Sequence, residues 1–107
     1  MKPAVDHYEE LFKELKDPEL VAAYLNAALE MGDKKDFLFA LRNVLIAQAG
    51  MTKVSNRTKM NRVSLYKMLS KSGNPGFGNV LRLLRTAGVQ FRIVPKMKHR
   101  AKMLETK

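Results

Sequence analysis

The sequence has no cysteine and no tryptophan, and Glu105 is its only acidic residue after Asp36. The lack of cysteine excludes disulfide staples and thiolate metal sites, and fits a reducing compartment. The two histidines, His7 and His99, stand near opposite ends without ligand-like neighbours at helical spacing, so neither metal nor other cofactor is expected. No apolar run approaches the roughly 20 residues that a membrane span needs. Met1 is followed by Lys2-Pro3-Ala4-Val5-Asp6 and not by an apolar leader. A cytoplasmic location without a membrane partner is expected. Catalytic patterns are missing too: there is no carboxylate pair, no nucleophile–base pair and no phosphate-binding glycine loop. Gly76-Phe77-Gly78 lacks a preceding strand and reads as a small-residue helix start. Neither enzymatic activity nor a small-molecule substrate is expected.

The strongest positive signal is charge. Residues 1–36 carry nine acids and five bases, a balance of −4; residues 37–107 carry fifteen bases and one acid, a balance of +14. A one-signed surface over two-thirds of a chain costs self-repulsion and usually serves a polyanion. At 107 residues the chain is expected to form one domain over 1–95, followed by a basic, flexible tail over 96–107.

Helices dominate the reading. Tyr8, Leu11, Phe12 and Leu15 recur at i, i+3, i+4 and i+7, which predicts a short acidic helix over 7–16. Asp17 as N-cap and Pro18 at the first helical position open the next, with Leu20, Val21, Tyr24, Leu25, Ala28 and Leu29 inward and Gly32 as a left-handed stop. Asp33, paired with Asp36, caps a third that buries Phe37, Leu38, Leu41, Leu45 and Ala49 and stops at Gly50. Thr52 is expected to cap a short fourth helix and Asn61 a fifth, running to about Ser70. Asn74-Pro75 starts a last one that buries Phe77, Val80, Leu81 and Leu84 and ends at Gly88. Val89–Val94 (VQFRIV) is β-prone and closed by Pro95, which predicts a short C-terminal strand.

The segment 52–70 fits a helix-turn-helix. Ser55 is small where two helices must touch, Val54, Met60, Leu65 and Met68 supply apolar contacts, and the turn is only Thr58 to Asn61. With Leu65 and Met68 inward, Arg62, Val63, Tyr66 and Lys67 point outward, as a recognition helix offers side chains to the major groove. Arg62 is the choice for guanine O6 and N7. Thr52, Lys53, Asn61, Lys71 and Asn74 complete the expected contact set, with Lys53, Lys71 and the backbone N–H groups around Asn74 on phosphates. Such turns usually contain glycine, and here Lys59 occupies the place; a left-handed Lys59 costs about 1 kcal/mol.

Several of these stretches resemble a known family. Val21–Glu30 (VAAYLNAALE), Gly50-Met51-Thr52, Ser64-Leu65-Tyr66-Lys67, Ser70, Gly73-Asn74-Pro75, Phe77 and Val80–Gly88 (VLRLLRTAG) are similar to bacterial addiction-module antidotes, the HigA-like antitoxins also described as prophage DNA-binding regulators. The likeness covers about residues 15–95, and the turn lysine departs from it. It implies a λ-repressor-like bundle of five to six helices. It also implies repression of the chain's own operon and neutralisation of a RelE/HigB-like toxin.

Three functions compete: an antitoxin that represses its own operon, a stand-alone prophage-type helix-turn-helix regulator without a toxin, and a basic RNA- or ribosome-associated protein. RNA modules usually show exposed aromatics for stacking; here most of the three tyrosines and five phenylalanines fall on apolar helix faces. The expected partners are double-stranded DNA, a second copy of the chain paired through the terminal strand, and the toxin. The resemblance implies a ribosome-directed and hence basic toxin, so the acidic N-terminal stretch is where it is expected to bind. There Glu9, with Tyr8, Leu11, Phe12 and Leu15 as apolar anchors, forms the expected surface. The alternative is that these apolar residues pack on the protein's own core and the acids form a solvated face.

Overall fold

The acidic and the basic parts of the chain place their apolar faces on one core. A computed structural model describes residues 3–96, with side chains described from Glu9 onward. Six helices follow in order: α1 Pro3–Glu14, α2 Pro18–Met31, α3 Lys34–Gln48, α4 Met51–Thr58, α5 Arg62–Met68 and α6 Phe77–Thr86. Among the described residues there is no strand. None of these helices is long and apolar enough to cross a membrane.

Side-chain caps set the starts of α2, α3 and α5. Asp17 Oδ1 accepts the Glu19 N–H at 2.9 Å, with Pro18 in the first turn of α2. Asp33 and Asp36 form a reciprocal capping box at α3, Oδ1 of Asp33 taking the Asp36 N–H at 3.1 Å and Oδ2 of Asp36 taking the Asp33 N–H at 3.2 Å. Such boxes satisfy two of the orphan donors of a helix N-terminus. Asn61 Oδ1 accepts from Val63 at 2.7 Å and from Ser64 at 3.3 Å, and so starts α5.

α2 and α1 both pack on α3, and α4 lies against α3, α5 and α6. The buried cluster runs from Leu15 and Val21 through Leu38, Leu41, Val44 and Leu45 to Val54, Leu65, Leu69 and Leu83. Its polar exceptions are matched. Asn43 donates to the Tyr24 hydroxyl at 3.1 Å, and Gln48 donates to the carbonyls of Leu15 and Ala87 at 3.3 and 2.9 Å. One amide thereby ties the end of α1 to the end of α6.

Several expectations are corrected. The first helix begins at Pro3, not residue 7, and Leu15 and Lys16 lie in the turn after it. Leu20 and Leu29 are exposed on the outer side of α2, so its apolar stripe is wider than its buried face. Gly32 is extended, with φ −123°, and its lack of a side chain matters because a Cβ would collide with the capping side chain of Asp36. Thr52 is not a cap. The N-cap of α4 is Gly50, at φ +85° and ψ 154°, a conformation essentially confined to glycine, which also ends α3 by donating to the Leu45 carbonyl. The last helix starts at Phe77 after Gly76, and Asn74-Pro75 belongs to the loop before it. Phe77 is 62% exposed and meets Phe91 edge-to-face, centroids 5.7 Å apart, while Leu83 joins the core instead. The strand expected at Val89–Val94 is absent, because among the described residues no other extended segment pairs with it. The expected tail beyond Lys96 lies outside the described residues.

Candidate nucleic-acid interface

The α4–α5 pair is held by a compact set of contacts. Met51, Val54, Leu65 and Leu69 are buried and anchor both helices to the core. The turn is Lys59–Asn61, and Lys59 takes the left-handed conformation, φ 63° and ψ 23°. It is the single described non-glycine residue with positive φ. Side chains stabilise this bend. Ser55 Oγ donates to the Met60 carbonyl at 2.5 Å, and Thr58 Oγ1 donates to the Val54 carbonyl at 2.7 Å while accepting the Met60 N–H at 3.3 Å. Arg82 of α6 donates to the Thr58 carbonyl, closing the end of α4. Ser55 therefore acts through a hydrogen bond to the turn as well as through small size.

The outer side of α5 carries Arg62, Val63, Tyr66 and Lys67. Val63 is 69% and Tyr66 38% exposed, large values for side chains with apolar surface to bury. Thr52, Lys53, Asn61, Lys71 and Asn74 are all exposed as well. Thr52 and Lys53 lie in the first turn of α4, whereas Lys71 and Asn74 follow α5. That following loop hugs its helix: Gly73 is buried, and a Cβ on it would meet the Met68 carbonyl. Exposed Arg57 and Lys59 add charge at the turn. No Asp or Glu occurs in the sequence between Phe37 and Lys96, so α4, α5 and α6 themselves carry only basic charges.

A feature that sequence reasoning missed lies beside α5. Arg42 of α3 has its guanidinium carbon 5.8 Å from the Phe39 ring centroid and 5.9 Å from that of Tyr66. Phe39 and Arg42 are three apart on one helix, a visible signal, but Tyr66 reaches them only through the packing of α5.

On α1, Glu9, Glu10 and Glu14 are exposed, and Leu11 and Phe12 half-buried. Leu15 is 1% exposed and is a core residue, so it drops out of the expected toxin surface. Tyr8 lies in α1, with its side chain outside the described ones. Among the described residues no group of three or more His, Asp or Glu side chains could hold a metal ion.

The fold and this surface define a small, mainly α-helical protein whose exposed basic face is built on a short helix pair. A family described as "probable addiction module antidote protein" matches residues 6–95, and the chain belongs to that family. It is also similar to an uncharacterised protein of Haemophilus influenzae, 30% identical over 79 residues, which covers 74% of this chain and 80% of the relative. No solved structure matches.

Proposed function

We propose that this chain is the DNA-binding antitoxin of a type II toxin–antitoxin module, which neutralises a RelE/HigB-like toxin and represses its own operon. It acts in the cytoplasm by binding alone, without catalysis. Membership of an antidote family supports a toxin partner and favours this reading over a stand-alone prophage-type regulator. The observation that carries the DNA part is the exposed Arg62, Val63, Tyr66 and Lys67 face of α5, on a stretch of sequence without an acidic residue.

In this reading α4 and α5 are the helix-turn-helix of a λ-repressor-like bundle, and α5 enters the major groove. Arg62 reads guanine and Val63 meets a thymine methyl. Thr52, Lys53, Asn61, Lys71 and Asn74 fix the register on the backbone. The protein works as a homodimer, which sets two α5 helices about 34 Å apart, one turn of DNA. Phe77, Phe91, Ile93 and Val94 form an exposed apolar patch around the unpaired terminal segment, and a second copy would cover it. The toxin binds the acidic face of α1, around Glu9, Leu11 and Phe12, away from α5.

The decisive experiment measures Arg62→Ala against DNA from upstream of the gene and against random duplex. A loss of about 1–3 kcal/mol on the specific site, with little change on random DNA, is expected. Equal binding of both duplexes by wild type and variant would reject α5 as the reading helix.

A further inference from the structure

Arg42 is a cation in contact with two aromatic rings, beside but not on the face proposed to read DNA. Phe39 is 54% exposed on α3, so core burial does not explain a phenylalanine there. Its ring and that of Tyr66 both lie within the roughly 6 Å at which a guanidinium is held by aromatic faces. A guanidinium held by aromatic rings keeps its N–H donors, a planar fork that matches phosphate oxygens. Lys35 and Lys71 line the same open cleft of about 410 Å³, together with Leu69 and Ser70. The one nearby carboxylate on α3, Asp36, is engaged in the capping box.

We propose that Arg42, Lys35 and Lys71 form a seat for a backbone phosphate of the bound DNA, with Phe39 and Tyr66 as positioning residues for the Arg42 guanidinium. The proposal rests on the DNA-binding reading of α5. Tyr66 links the two, since it stands on the exposed face of α5 and also against Arg42. A duplex read by α5 therefore carries its backbone past the cleft. Because the seat touches phosphate alone, it contributes equally to every sequence.

The test is a salt titration of the full-length protein on two equally long duplexes, one from upstream of its own gene and one random. Arg42→Gln is expected to weaken both by about tenfold, and to lower the slope of log affinity against log salt by about 0.9. Arg42→Lys, which retains the charge and guards against loss of fold, keeps the slope and loses severalfold in affinity. Phe39→Leu weakens binding severalfold in the wild-type background and adds nothing to Arg42→Gln, as a residue acting through Arg42 must. Unchanged slope and affinity in Arg42→Gln, while Arg62→Ala still loses the specific site, would overturn the phosphate seat and leave the α5 reading standing. Weaker binding of the toxin with DNA binding intact would overturn it in favour of a protein partner. Failure of the wild-type protein to bind either duplex at low salt would remove both readings together.

Discussion

α1 and α2, at the acidic end of the chain, and α4 and α5, in its basic part, solve the same packing problem with opposite surfaces. Val21 and Leu25 of the first pair, with Leu15 in the turn between its helices, and Val54 and Leu65 of the second, with Leu69 just after it, enter one buried cluster around α3. Outside, the first pair shows Glu9, Glu10, Glu14 and Glu19, and the second shows Lys53, Arg57, Arg62 and Lys67. Core packing depends on volume and apolarity, whereas the solvent faces are free to take either sign. Two surfaces of opposite charge thus share one core.

The largest effect should come from the shared core. Leu41 of α3 has no exposed surface, and Leu41→Ala should cost about 2–5 kcal/mol. Hydrogen exchange should show amides of α2 and α4 losing protection together. Protection lost in one pair alone would mean that the two regions are separate cooperative units. Lys59→Gly should act in the opposite direction and only in the basic pair. Removing the left-handed strain of a side chain at φ 63° should stabilise by roughly 1 kcal/mol, and raise Tm by about 4–8 °C. No rise in a thermal melt would mean that the hydrogen bonds of Ser55 and Thr58 already offset the strain.

Charge reversal at the acidic surface sharpens the comparison further. Glu9→Lys, Glu10→Lys and Glu14→Lys together should change stability by only about 0.5 kcal/mol, since all three are exposed. Association with the toxin should slow by about tenfold, while the specific duplex is bound at least as tightly. Equal losses in both assays would show that the surfaces are not separate. The smallest effect concerns Asp33, the cap between the two regions. The N–H of Asp36 is the chief cause that holds its carboxyl below the ordinary value of 3.8. Its contribution is therefore complete above that value and is lost as pH falls through the lowered folded value. Melting between pH 5 and pH 2 should show this loss in the wild type, and Asp33→Asn should remove that share of the pH dependence.

Where a structural feature depended on neighbours in sequence, reading the chain located it. Asp17, the Asp33–Asp36 box and Asn61 each satisfy backbone donors two or three residues away, so residue type and spacing were enough. The left-handed Lys59 was also legible, as the residue standing where such turns take glycine. Thr52 misled because threonine is a common capping residue, yet Gly50 can adopt a positive φ that threonine cannot reach cheaply. Phe77 misled because a phenylalanine on an apolar stripe was assigned to the core, although Leu83 and Leu84 already fill the side of α6 that faces it.

The charge division, the helical class and most of the caps were written in the chain itself, since they arise from composition or from bonds spanning a few residues. The burial of Leu15, the exposure of Phe77 and the amide of Gln48 between α1 and α6 came only with the fold. So did the placement of Arg42 between Phe39 and Tyr66. Each joins groups that are distant along the chain or compete for the same core volume, and only the packing of all six helices decides which side chains fill it.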